Sequence, residues 1–320
     1  AGVEVDIDVL RIRRPQARIK AMFVFGEHAR ELITGESALN LARALCGKGS
    51  KAAVAGKALA NVEFVLVPNA NPLGRKVVES GYYCKRTNED GVDLNRNWSE
   101  EHRDTSQAVG DEMYPGPSGF SEPETQLLRD LVDNERPDIY LSVHSGAYLL
   151  GTPYGYEDTH TGDEAAMLQV LRPISQHFCG GRCPVGNLAG LIHYQNPGCD
   201  IDYVYDRLRT PYVFTWEIFV GEEYRGPYLE EAQMQQHGAA SLAQLKLVSS
   251  HQAQLEPSLA QVRQEGGQRL RAQRPEAAED LGSCLEQFNP QSEEETTQVV
   301  ETWSGAFLEL CELVSAKKAA

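Results

Sequence analysis

The sequence has no run of eighteen or more apolar residues, so no segment reads as a membrane-spanning helix. It also lacks an excess of basic charge: 46 acidic residues outnumber 30 basic ones, for a net charge of −16. A nucleic-acid groove needs a basic footprint, so this balance argues against that class of partner. It favours solubility and the encounter of cationic partners. No signal peptide is visible. The chain starts AGVEVDIDVL, without Met and already charged, and reads as a mature or trimmed fragment, which leaves room for an upstream signal or pro-segment. Internal repeats are absent. Seven cysteines are an odd number, which leaves at least one thiol unpaired within the chain. The close pair Cys179 and Cys183, in HFCGGRCPVG, reads either as a small-loop disulfide or as two free thiols. A structural zinc site would need a second close pair to complete it.

What is present is an ordinary apolar fraction, 41% of 320 residues, enough for a good-sized core in one large or two medium domains. EVDIDVLRIR alternates apolar and polar residues and predicts an edge or half-buried strand. IKAMFVFG and VEFVLVPNANP are denser apolar runs and predict central strands, as do PDIYLSVHSG and PYVFTWEIF. Residues 30–45 carry the apolar face of a helix. SEPETQLLRDLVDN predicts another, with Ser121 as cap, Pro123 early and Glu124 three residues after the Ser. Strands alternating with helices predict an α/β fold. The expected form is a single domain, residues 1–320, with a central mixed, mostly parallel twisted sheet flanked by helices on both faces. Residues of about 230–280 are rich in Ala, Gln, Glu and Arg, poor in aromatics, and read as a low-complexity surface insertion. A closing amphipathic helix is expected at about 293–315.

Four polar features interrupt this apolar pattern. His28 and Glu31 sit at the mouth of the strand ending in Phe25. Imidazole nitrogen and carboxylate oxygen are good zinc ligands, and a catalytic site wants three protein ligands and an open position. One HxxE pair arises easily by chance, and its bland reading is a helix-start Glu beside a solvated His. His144, at the end of the strand PDIYLSVH, offers a third ligand, with a backbone-bonded core histidine as the plain alternative. The loop KRTNEDGVDLNRNW crowds Arg86, Arg96, Asn88, Asn95 and Asn97 together. Arg recognises a carboxylate at two points and Asn adds a donor, whereas a turn with capping Asn and surface Arg would look similar. Glu217 lies in the apolar strand YVFTWEIF, where a carboxylate is costly unless it is paired or takes part in chemistry. Burial would raise its pKa and suit it to proton transfer.

Taken together, GEHARE, NPLGR, GVDLNRNW, SVHSG, TPYGY and FTWEIF resemble the zinc metallocarboxypeptidases. The likeness is strongest to the plant and protist branch, through RKVVESG, SEPET and DYVYD…FTWEI. It covers about residues 1–228 and 281–315. The resemblance implies one zinc ion held by His28, Glu31 and His144, with Glu217 as general base and acid. It implies that Asn95 and Arg96 grip the terminal carboxylate of a peptide and that Arg86 steadies the oxyanion. Arg30 would line subsites further along the peptide, Tyr194 would close over the substrate, and Ile201 would floor the pocket for the C-terminal side chain. Asp200 and Asp202 flank Ile201, and a shift of one residue would put a carboxylate there instead. The implied substrate is the C-terminus of a peptide or protein, the implied state a monomer, and the implied compartment the secretory pathway, the extracellular space or a vacuole. Two other readings share these residues: a zinc amidohydrolase that deacylates N-acyl amino acids, and an inactive peptide-binding module.

Overall fold

The strand-forming runs build one seven-stranded sheet in the computed structural model, which describes residues 4–99, 101–237 and 280–319. The strands are β1 (Leu10–Ile12), β2 (Ile19–Phe25), β3 (Val62–Val67), β4 (Ile139–His144), β5 (Leu149–Thr152), β6 (Val185–Asn187) and β7 (Tyr212–Glu217). Their order is β1-β3-β2-β4-β7-β5-β6. The central strands β3, β2, β4 and β7 run parallel, and β5 and β6 are parallel to each other. The β1–β3 and β5–β7 pairings are antiparallel, so the sheet is mixed and mostly parallel. Strands buried on both faces need apolar side chains on both, which is why IKAMFVF and VEFVLV read as nearly continuous apolar runs. The expected edge strand is shorter than its alternating pattern: of residues 4–13 only Leu10–Ile12 pairs, against Phe64, Val65 and Leu66.

Ten α-helices are found among the described residues: α1 (Leu32–Leu45), α2 (Ala52–Ala58), α3 (Pro72–Glu79), α4 (Pro123–Glu135), α5 (Glu164–Cys179), α6 (Leu188–Ile192), α7 (Asp200–Leu208), α8 (Gly226–His237), α9 (Asp280–Phe288) and α10 (Glu293–Ala319). They cover both faces of the sheet. On one face Phe23, Phe25 and Trp216 pack around Phe307 of α10, with ring centroids 5.8, 5.6 and 5.6 Å away. On the other, Tyr140 of β4 donates its hydroxyl to Asp200 of α7 at 2.8 Å. The closing helix therefore supplies core, as its apolar stripe predicts. α4 starts one residue later than its capping pattern implies. Glu122 is the cap residue, because the Ser121 hydroxyl is taken by Glu122 Oε1 and Asn97 Nδ2. The expected insertion at about 230–280 lies outside the described residues beyond its first turns, which continue α8.

Two disulfides join the described cysteines. Cys179–Cys183 closes the Gly-Gly loop after α5. Cys84–Cys284 spans 200 residues and ties the loop before Arg86 to α9. Cys46, Cys199 and Cys311 are free.

Candidate metal centre

Three parallel neighbours, β2, β4 and β7, deliver the polar residues to one end of the sheet. Carboxyl ends of parallel strands are where such folds gather their sites, since each strand exits into a loop there. β2 exits at Phe25 into the loop carrying Glu27, His28 and Glu31. His144 is the last residue of β4 and Glu217 the last of β7, and the two stand in register.

His28, Glu31 and His144 are all buried, and one ligand atom from each lies within 4.8 Å of the others. Nδ1 of His28 is 2.7 Å from Glu31 Oε1, Nδ1 of His144 is 3.1 Å from Glu31 Oε2, and the two Nδ1 atoms are 3.1 Å apart. The other ring nitrogens face outward onto protein groups. His28 Nε2 meets Asp93 Oδ1 at 3.1 Å, and His144 Nε2 meets Ser142 Oγ at 2.9 Å. Such outer partners turn the inner lone pairs toward a common point. Burial works against the charge on Glu31, but His28 and His144 outweigh it and pull its carboxyl far down. Burial likewise opposes a charged His144, and the Glu31 carboxylate outweighs that, raising the ring to about 9. Glu31 also explains a gap in α1. It is the N-cap residue, yet its side chain caps nothing, because its carboxylate serves the imidazoles and the Ser145 amide. Two imidazole nitrogens and one carboxylate converging in a buried pocket fit a zinc ion.

Glu217 accepts a hydrogen bond from the Ala147 amide at 3.2 Å. Loss of water around it, then repulsion from Glu31, raise its pKa to about 7, with His144 working in the opposite sense.

The arginines separate by partner. Arg86 donates Nε to Asp93 Oδ2 at 2.8 Å, which orients its guanidinium. Burial alone would raise the Asp93 carboxyl, but Arg86, Arg96 and His28 hold it well below the usual range. Arg30 pairs with Glu112 at 2.9 Å and lies 4.2 Å over the Phe288 ring. Arg96 is 3% exposed, and no carboxylate lies within ion-pair distance of it among the described residues. Its two short contacts are neutral: Asn95 O and Asn196 Oδ1, both at 2.6 Å.

Asn95 accepts from the Asp200 amide at 3.0 Å, and its Nδ2 is 3.2 Å from His144 Nε2. Asn97 is structural, as the plain reading of the loop holds. It donates to Pro115 O, Ser118 O and Ser121 Oγ and accepts from Thr125. Tyr194 is half exposed, in the loop after α6. Ile201 is fully buried in the first turn of α7.

Sequence reasoning missed four residues here. Asp93 bridges His28 and Arg86, yet inside GVDLNRNW it reads as a turn residue. Glu27 receives the Trp98 indole at 2.9 Å and places its other, unbonded oxygen 3.8 Å from His144 Nε2. Its only signal was being a second acid beside the HxxE pair. Ser142 and Asn196 carry no local signal at all.

The zinc carboxypeptidase family's sequence profile matches residues 4–243. The chain belongs to the zinc carboxypeptidase family. A zinc carboxypeptidase of Simulium vittatum is 31% identical over 220 residues, covering 62% of this chain and 69% of that protein. Carboxypeptidase A2 of Rattus norvegicus is 29% identical over 212 residues, covering 60% of this chain and 49% of that one. The chain thus spans about half the length of that mammalian relative, and 40% of the human carboxypeptidase O. Among solved structures, carboxypeptidase A from Helicoverpa armigera matches with a TM-score of 0.60 at 22% identity, covering 71% of this chain and 63% of that one. Bovine thrombin-activatable fibrinolysis inhibitor, in complex with tick carboxypeptidase inhibitor, gives 0.58 at 24% identity, covering 70% and 81%. At such identities these structural matches establish the fold alone. The family's metal is zinc, and the His28–Glu31–His144 cluster of this zinc carboxypeptidase fits it.

Proposed function

We propose that this chain is a zinc-dependent carboxypeptidase that hydrolyses the last peptide bond of peptides or proteins. The observation that carries the reading is Arg96, a buried guanidinium beside the ligand cluster whose hydrogen-bond partners are neutral, while the acid that feels its charge, Asp93, is bonded instead to Arg86 and His28. A buried cation is costly when uncompensated, and a carboxylate brought by the substrate would complete it. An internal residue of a peptide has no carboxylate to offer, so the same arrangement restricts cleavage to the end of the chain.

When bound by His28, Glu31 and His144, the zinc ion supplies positive charge that polarises a carbonyl and acidifies water. The remaining work falls to this chain's residues. Glu217, with a pKa raised to about 7, takes a proton from the attacking water and delivers it to the leaving amine. Arg86 pairs with Asp93 through Nε alone, and its terminal nitrogens supply the donors where the oxyanion develops. Arg96 anchors the terminal carboxylate. Asn95, whose amide is engaged at both ends, keeps the anchor and His144 in one frame. Tyr194 is open to solvent and free to cover a bound peptide; Arg30, matched to Glu112, borders the peptide's upstream residues. One chain contributes every group named, which supports a monomer as the functional unit. The two disulfides favour the secretory pathway or the extracellular space. No helix of the described residues is long and apolar enough to cross a membrane.

The test is hydrolysis of N-benzoyl-glycyl-phenylalanine by the zinc-loaded protein, with a chelator arm and a zinc-restoration arm. Release of phenylalanine that the chelator stops and zinc restores is the expected result. Cleavage of N-acetyl-phenylalanine in preference to this peptide would favour the amidohydrolase reading, and binding without cleavage the inactive module.

A further inference from the structure

Arg96 sits in the turn Leu94–Arg96, and Asn196 sits 100 residues later in the loop between α6 and α7. The two segments are fastened at several points. Trp98 N donates to Gly198 O at 3.0 Å, and Asp200 N donates to Asn95 Oδ1 at 3.0 Å. Gly198 has φ of +81° and passes so close that a Cβ there would lie 2.4 Å from Arg96 O. Asn196 is itself clamped: its amide donates to Gly155 O at 2.7 Å, and a Cβ on Gly155 would stand 3.3 Å from its own Cβ. Asn196 is therefore held at its backbone while its side-chain oxygen receives Arg96 Nη2 at 2.6 Å. It is 8% exposed.

The chemistry of that partner matters. A carboxamide accepts a hydrogen bond from guanidinium without cancelling its charge, whereas a carboxylate at the same place would form a closed ion pair. Arg86 and Arg30 have such carboxylates, in Asp93 and Glu112. Arg96 alone of the three is oriented by an amide. We propose that Asn196 is a positioning residue for the carboxylate anchor: it fixes the Arg96 guanidinium while leaving its charge for an incoming carboxylate. This rests on the reading of Arg96 given above. The ligand class it serves is a monocarboxylate with a side chain, such as the C-terminal residue of a peptide.

The experiment compares zinc-loaded wild type, Asn196→Ala and Asn196→Asp, each with its zinc content and melting temperature recorded. Calorimetry measures binding of 3-phenylpropanoate, which has no scissile bond, against the neutral 3-phenylpropanamide. Kinetics measure KM and kcat on N-benzoyl-glycyl-phenylalanine. Asn196→Asp, by pairing with Arg96, should weaken 3-phenylpropanoate binding roughly 10- to 100-fold and leave the amide unchanged. KM should rise by a similar factor while kcat stays within about twofold. Asn196→Ala should give a smaller loss of the same kind, roughly 3- to 10-fold, which keeps the test decisive if the Asp variant does not fold. Unchanged carboxylate affinity in a folded variant would overturn the proposal while wild-type cleavage leaves the function standing. Conversely, carboxylate binding that depends on Asn196 in a protein that cleaves no peptide would sustain this role and sink the carboxypeptidase reading. Wild type that neither cleaves nor binds the carboxylate would overturn both.

Discussion

His144 and Glu217 are cross-strand partners, the last residues of two neighbouring parallel strands, β4 and β7. The proposed ligand and the proposed proton carrier are thus set side by side by backbone register, not by loop geometry. Changing the Glu217 side chain should leave the ligand where it is. Glu217→Gln should keep full zinc content and the wild-type fold while kcat falls by roughly 10²–10⁴, the usual contribution of a positioned proton carrier. Metal analysis beside steady-state kinetics checks this, and near wild-type turnover would make Glu217 a structural residue.

His144→Ala removes one of three converging donors and leaves Glu31 with a single imidazole partner. Zinc affinity should fall by orders of magnitude, read as stoichiometry after equilibrium dialysis. His28→Ala should behave alike. Retention of one zinc per chain in either variant would remove that residue from the ligand set.

The Cys84–Cys284 bond ties down segments that pack around the proposed metal site. Cys84 O accepts from Arg30. Beyond Cys284, Phe288 O accepts from Ser145 Oγ, and Asn289 bonds both Arg30 O and Ile33 N. The double variant Cys84→Ser, Cys284→Ser should lose about 2–5 kcal/mol of stability by denaturant titration, because a very long loop is released in the unfolded chain. Zinc should also bind more weakly, since this segment buttresses the loops that follow β2 and β4. A stability loss well below 1 kcal/mol, with unchanged zinc affinity, would show that α9 stays docked without the bond.

Preference for the last residue follows from which carboxylates remain uncommitted. Asp200 accepts from the Tyr140 hydroxyl and the Ile201 amide, both at 2.8 Å. Asp202 accepts from the amides of Gly155 and Tyr156 and from the Cys199 thiol. Both acids are buried with each carboxylate oxygen already occupied by these donors, and burial raises Asp202 to about 7, so neither flank of Ile201 presents an open acceptor to a basic side chain. C-terminal Phe or Leu should therefore exceed Lys or Arg in kcat/KM on peptides that differ only at that residue. A tenfold advantage for Lys or Arg would reverse the assignment and make Asp200 the first residue to replace.

Much of this was legible in the chain, and the reasons are local. Central strands announce themselves because burial on both faces demands long apolar runs. A polar residue that ends such a run, such as His144 or Glu217, is conspicuous for the same reason. The HxxE spacing is short enough to read directly. What stayed hidden depends on distant pairing. Nothing near Cys84 points to Cys284, and nothing near Asn196 points to Arg96, since each pair is joined only by the crossing of loops. Asp93 was hidden differently: its turn-forming chemistry masks its role between His28 and Arg86. Ser121 misled because its hydroxyl, well placed for capping, is drawn to Asn97 and Glu122 instead.

The central claim is that Arg96 awaits a carboxylate at the end of a substrate chain. It is tested most directly by the zinc-loaded protein on two peptides identical except that one ends in a free acid and the other in a carboxamide. The account predicts that amidation lowers kcat/KM by roughly 10²-fold or more, since an anion facing a buried guanidinium is replaced by a neutral group. Equal cleavage of the two peptides would contradict it.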